Sequence, residues 1–214
     1  MNPIAPHITA YLRERLPLQK GASPHTCDSY AHTFRLLFEF ASARFKVTPS
    51  KLYLEQIDAK LVMDFLMHLE SSRKNSAKTR NARLAAIKSF MRFVEHRVPL
   101  LLDQSSRILA IPSKKCDTAL ISYLCPEEMQ AILNSPDTST REGIRDRAML
   151  HVSFAAGLRV SELTGLLLTG VVLQPMPTIH VMGKGRKERV LPLLKQSAAD
   201  IRSWLAIRGD LRVP

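Results

Sequence analysis

Apolar residues recur at helical spacing through the first 105 or so residues, and this periodicity constrains the fold more than any other feature of the chain. Residues 3–16 carry Ile4, Ile8, Leu12 and Leu16 on one face, as an amphipathic helix requires. Ser23-Pro24 offers an N-cap followed by a proline at the first helical position, which predicts a helix through about Phe45. Its inward face holds Tyr30, Phe34, Leu37, Phe38 and Ala41. Asp58 caps a third segment, with Leu61, Val62, Phe65, Leu66 and Leu69 inward, and Ser76 a fourth, with Leu84, Ile87, Phe90, Met91 and Val94. Four helices on short loops predict a small bundle.

The pattern breaks at residues 110–123, AIPSKKCDTALISY, where Pro112 and the polar, basic residues around it read as an interdomain linker. A short helix then opens at Pro126, with Met129, Ile132 and Leu133 inward. Residues 140–156 predict a longer one that mostly buries Ile144, Met149, Leu150, Val152 and Phe154. Three apolar stretches follow with strand character, 170–174, 178–182 and 188–193, and Gly183-Lys184-Gly185-Arg186-Lys187 separates the last two as a hairpin turn would. A last amphipathic helix runs from about Lys195 to Ile207, with Ile201, Trp204 and Leu205 inward. The expected fold is mainly α with a small antiparallel β-sheet. Its domains are a helical unit at 1–109, a linker at 110–123 and a mixed α+β unit at 124–214.

Charge points to a partner. Lysine and arginine number 31 against 19 acidic residues, and the excess is uneven. Residues 1–115 hold 19 basic and 9 acidic residues, and residues 116–214 hold 12 and 10. A basic front half fits a polyanion. The fourth helix concentrates the charge: Arg73, Lys74, Lys78, Arg80, Arg83, Lys88, Arg92 and Arg97 face only Glu95 within residues 71–97. An inert solvated face usually mixes signs to make i,i+4 pairs. This one suits the phosphates of a duplex, with Lys74, Lys78, Arg80, Arg83 and Lys88 as the expected contacts.

Two motifs carry the chemistry. In Ala155-Ala156-Gly157-Leu158-Arg159-Val160-Ser161-Glu162-Leu163-Thr164-Gly165-Leu166, Gly157 ends one helix and Arg159 starts the next. An arginine between apolar neighbours needs a partner, and its planar fork suits a phosphate. Glu162 shares its face and is placed to pair with it or orient it; taken alone, this segment is better accounted for by a purely structural Arg–Glu pair closing the helix start. In Gly183-Lys184-Gly185-Arg186-Lys187-Glu188-Arg189-Val190-Leu191-Pro192-Leu193, glycines flank a lysine at a hairpin tip. Such a lysine can approach a ligand and place a proton on a leaving oxygen. It can also be a basic hairpin that only touches phosphates, with Arg186 and Lys187 beside it. The spacing is not that of a nucleotide-binding loop.

Together, AAGLRVSELTGL and, about 25 residues later, GKGRKERVLPL resemble the tyrosine recombinase (phage integrase) family, including Xer-type and transposon integrases. The likeness spans essentially the whole chain. It implies an N-terminal four-helix, SAM-like core-binding domain and the first half of an α+β catalytic domain. It gives Arg159 the role of binding the scissile phosphate, Glu162 that of supporting it, and Lys184 that of protonating the 5′ leaving oxygen. The implied reaction is a metal-free, cofactor-free phosphoryl transfer through a 3′-phosphotyrosyl bond. The family's His-x-x-Arg, a further His or Trp and the nucleophilic Tyr should follow the hairpin. Here the tyrosines are Tyr11, Tyr30, Tyr53 and Tyr123, all before Arg159, and the last histidine, His180, falls in a strand and reads as structural. The expectation is a C-terminally truncated member, catalytically incomplete as this chain.

Two functions follow: site-specific DNA recombination or integration by a mobile-element-type enzyme, or a non-catalytic DNA-binding protein that occupies recombination sites. A generic helical protein with a basic surface leaves the order of Arg159, Glu162 and Lys184 unexplained. The expected partners are double-stranded DNA and further recombinase protomers on it, with no membrane and no small-molecule substrate. No stretch approaches the roughly 20 apolar residues of a membrane span, and the N-terminus does not read as a secretory signal. The three cysteines suggest neither a disulfide framework nor a metal site, so the expected compartment is the reducing cytoplasm.

Overall fold

The computed structural model describes residues 1–116, 122–183 and 187–209. The chain divides into two compact units, Met1–Ala119 and Leu120–Pro214.

The first unit is helical. Helix α1 (Ile4–Ala10) runs directly into a widened, π-helical stretch, Tyr11–Gln19, that contains Pro17. Proline has no N–H to give and crowds the carbonyl four residues back, and the wider turn accommodates both. Helices α2 (Pro24–Phe45), α3 (Ala59–Ser71) and α4 (Ala77–Arg97) follow. Their N-caps are Ser23, Asp58 and Ser76, whose side chains accept from the backbone N–H of Thr26, Leu61 and Thr79. A further short helix, α5 (Leu102–Leu109), buries Ser105 and Ile108. Gln104 donates from α5 to the carbonyls of Leu54 and Ile57 at 2.7 and 2.9 Å, which fixes α5 to the loop before α3. The core contains an aromatic group in which fully buried Tyr11 meets Phe34 edge-on at 6.0 Å and Phe90 at 5.3 Å. Such contacts add to the area they bury.

Residues 112–116, within the expected linker, are tied to this unit. Arg80 donates to the Pro112 carbonyl at 2.9 Å, and Asn81 exchanges hydrogen bonds with the Lys114 backbone at 2.7 and 2.9 Å. Lys114 also reaches Glu70 on α3 at 2.9 Å.

The second unit opens with α6 (Pro126–Asn134) and α7 (Arg141–Ala156), which ends at Gly157 in the left-handed region (φ 59°). Helix α8 (Val160–Thr164) leads to a three-stranded antiparallel sheet of order β1 (Val171–Val172), β2 (Thr178–Met182), β3 (Glu188–Pro192). The β2–β3 register pairs Ile179 with Leu191, Val181 with Arg189 and Met182 with Glu188. Helix α9 (Lys195–Arg208) packs along α7. Strand alternation turns Ile179 and Val181 inward, where they join Val152, Leu193 and Ile201 in the core.

Two expected core residues are exposed. Phe154 lies two positions past buried Val152, about 200° round the helix, and so faces away from it. On α6 only Leu133 is buried, and Ile132 beside it is exposed. His180 points outward from β2, 3.2 Å from Glu188 on β3. Among the described residues no helix is long and apolar enough to cross a membrane.

Candidate active site and nucleic-acid interface

In the second unit the chemistry centres on one buried carboxylate. The left-handed turn at Gly157 reverses the chain between α7 and α8 and places Arg159 immediately before α8. Three residues on, one helical turn brings the Glu162 side chain back beneath it. Glu162 is only 5% exposed. One of its oxygens accepts the Arg159 backbone N–H at 2.8 Å, and the other accepts Arg159 Nη1 at 3.0 Å. Arg189, from β3, adds a two-pronged contact, Nη1 at 3.0 Å and Nη2 at 2.8 Å, one to each oxygen. A carboxylate offers about four lone-pair sites, and here all four are used. The Arg189 hydrogen bonds, followed by the Arg159 backbone N–H, hold the Glu162 carboxyl down at about 2.

Arg159 itself is not enclosed in an apolar setting: its side chain is 65% exposed, and Val160 beside it is also exposed. The guanidinium rests on Glu162 through one nitrogen. Among the described residues, Nε and Nη2 meet no acceptor. The geometry therefore leaves a fixed, solvent-facing cation with spare donors, as binding of a phosphate requires.

Gly183 closes the base of the β2–β3 turn, its N–H donating to the Lys187 carbonyl at 2.7 Å. A β-carbon there would sit 2.9 Å from Arg189 Nη1 and 3.1 Å from a Glu162 oxygen. What this glycine approaches, among the described residues, is the Arg189–Glu162 pair. Lys184 and Arg186 lie outside the described residues. Lys187 is exposed.

The sequence reading missed Arg189. The available signal was strand alternation: on β3, Arg189 and Leu191 are half-buried while Glu188 and Val190 are exposed. A charge on the inward face of a strand needs a partner.

In the first unit the expected cations separate into two sets. Lys74, Lys78 and Arg92 are exposed. Arg80 is buried at 7% exposure and anchors residue 112, so it belongs to the core of this unit rather than to an open basic face. Arg83 is half-buried and donates to the Ser29 carbonyl at 3.1 Å and to Thr33 at 3.0 Å, pinning α4 to α2. Burial, then Arg73, lowers the Arg83 value. Burial, then Arg92 and Arg80, lowers that of half-buried Lys88. On α2, burial followed by Arg83, Arg35 and Arg73 lowers His32. In each case burial is the larger cause and the neighbouring cations add to it.

Residues 122–212 match the phage integrase family, and residues 8–97 match the phage integrase N-terminal SAM-like domain. A putative integrase/recombinase of Sinorhizobium fredii, y4rC, is 43% identical over 209 residues, which cover 97% of this chain and 63% of that protein. A second from the same organism, y4rD, is 37% identical over 207 residues, covering 96% of this chain and 74% of that protein. The chain belongs to the tyrosine recombinase (phage integrase) family. It spans less than two thirds of the length of y4rC. Among solved structures, the XerH site-specific recombinase bound to its palindromic difH substrate has the same fold, with a TM-score of 0.65 at 22% identity over 87% of this chain and 54% of that one. Arg159, Glu162 and Gly183 lie within the part matched to the integrase family, and the α2–α4 cations within the SAM-like part.

The Glu162 site has a pH signature. A carboxyl held at about 2 in the folded chain against an ordinary 4.5 contributes stability that is present above 4.5 and is lost as pH falls towards 2. The melting-temperature gap between the wild type and Glu162→Gln is expected to shrink as pH is lowered from about 5 to about 2. A gap independent of pH over that window would contradict the assigned charge state.

Proposed function

We propose that this chain acts on duplex DNA in site-specific recombination, with Arg159 holding the phosphate at which a strand is exchanged. The observation that carries the reading is the state of Arg159: an exposed guanidinium braced on one side by a saturated carboxylate and open on the other. Charge stabilisation by a preorganised cation is the main contribution a protein makes to a phosphoryl transfer of this kind. Lys184, which follows Gly183 in the sequence, would protonate the leaving 5′ oxygen; the 3′-phosphotyrosyl bond would need a tyrosine beyond the hairpin, whereas Tyr11, Tyr30, Tyr53 and Tyr123 all precede Arg159. The helical unit, about residues 1–109, would grip the duplex backbone, joined through 110–123 to the catalytic unit from 124 onward. Other protomers on the same DNA would complete the exchange. The site of action would be cytoplasmic, in keeping with the free cysteines Cys27, Cys116 and Cys125.

The test of the DNA reading is the salt dependence of duplex binding by the 214-residue chain. The affinity is expected to fall by about 0.9 log units per log unit of salt for each phosphate neutralised. Replacing Lys74, Lys78 and Lys88 together with alanine should flatten the slope by about one unit for each phosphate that is no longer neutralised. Arg80→Ala should leave the slope alone and lower the melting temperature, since Arg80 is spent on Pro112. Binding without salt dependence would sink the proposal.

A further inference from the structure

Glu162 is shared unequally between two arginines. Arg189 spans both of its oxygens with two nitrogens, while Arg159 touches it with a single side-chain nitrogen and its backbone N–H. We infer that Arg189 is a positioning residue: by occupying Glu162 from the β3 side it stops the Arg159 fork from closing on that carboxylate, and so keeps Arg159 available to a DNA phosphate. The inference rests on the proposed phosphate role of Arg159.

The physical argument is one of competition. A carboxylate this buried must have its lone pairs met, because an unmet buried charge is expensive. Remove Arg189 and two of the four acceptor sites fall vacant. The nearest donors able to fill them are those of Arg159, whose Nη1 already sits 3.0 Å away. The favoured response is the two-pronged arginine–carboxylate geometry, which turns the Arg159 fork inward and consumes the donors a phosphate would use. With Arg189 present, two cations share one anion and the pair retains a positive charge to offer. The local structure supports the arrangement. Val181, the register partner of Arg189, is buried, which places Arg189 on the inward face of the sheet. At Gly183 the missing β-carbon leaves room for the Arg189 guanidinium and the Glu162 carboxylate beside the turn backbone.

This account makes a prediction that a merely structural Arg189 would not share: removing the charge of Glu162 should repair the loss of Arg189. The experiment measures binding of the 214-residue chain to a fluorescent duplex DNA, for the wild type, R159A, R189Q, E162Q, R189Q/E162Q and R159A/R189Q, with melting temperatures for each. R159A and R189Q should each weaken binding by about tenfold or more. R189Q should add nothing in the R159A background, and R189Q/E162Q should return to within about threefold of the wild type. R189K, which keeps the charge but cannot span both oxygens, should fall between the wild type and R189Q. If R189Q is unfolded, R189K and the neutral pair R189Q/E162Q carry the test. Independent losses from R159A and R189Q, or a double variant R189Q/E162Q no better than R189Q or R189K, would overturn the inference while leaving the phosphate role of Arg159 standing. Wild-type binding by R159A would overturn that role instead.

Discussion

Arg159→Ala is expected to weaken duplex binding by about 10- to 100-fold, the range for hydrogen bonds between charged partners, and to leave the fold intact. Both parts follow from the same geometry. The side chain is 65% exposed and its one ion pair lies at the surface, where such pairs contribute little stability. Glu162 keeps Arg189 and the backbone N–H of residue 159 after the substitution, so no buried charge is abandoned. The check is binding titrations paired with melting curves: a loss of affinity without a loss of melting temperature. Equal losses in both would make Arg159 a structural residue.

Gly143→Ala is expected to have the opposite profile, a large loss of stability in the second unit. Residues 137–143 fold tightly at the start of α7. Thr140 caps the helix by accepting the Gly143 N–H at 3.0 Å and donates its own hydroxyl to the Asp137 carbonyl at 2.9 Å. This draws the Asp137 carbonyl against the α-carbon of Gly143, which is buried, and a β-carbon there would overlap the Asp137 carbonyl oxygen. The obstacle is backbone rather than the end of a flexible side chain, so the loop must unwind to admit it. A cost of about 3 kcal/mol or more is expected, at the upper end for overpacking. Chemical denaturation of the variant reads this directly. A ΔΔG below about 1 kcal/mol would show that the loop yields cheaply.

What could be read from the sequence and what could not divide along the range of the interaction. The caps Ser23, Asp58 and Ser76 act within three residues, and the pattern identified them. Arg159 and Glu162, one turn apart, were visible for the same reason. Tyr11 falls outside the Ile4, Ile8, Leu12, Leu16 series, yet a regular helix already puts it, seven residues after Ile4 and three after Ile8, on their face; Tyr11 is fully buried and Leu12 only half so. Arg80 was counted with the basic face although Leu84 and Ile87, four and seven residues on, share its side of α4 and are buried. Its partner, the Pro112 carbonyl, is 32 residues away. Arg189 meets Glu162 across 27 residues and a hairpin; strand alternation signals that it points inward, but no local pattern names its partner. Gly143 likewise reads in sequence as an unremarkable residue in a first helical turn, because its constraint is the path of the loop before it.

The most direct test of the central claim is the environment of the Arg159 guanidinium in a structure of the chain bound to duplex DNA. Nε or Nη2 is expected within about 2.7–2.9 Å of a phosphate oxygen, with Nη1 still on Glu162 and Arg189 still spanning both Glu162 oxygens. An Arg159 fork folded onto Glu162 with no phosphate against it, in a complex where the duplex occupies the second unit, would contradict the account.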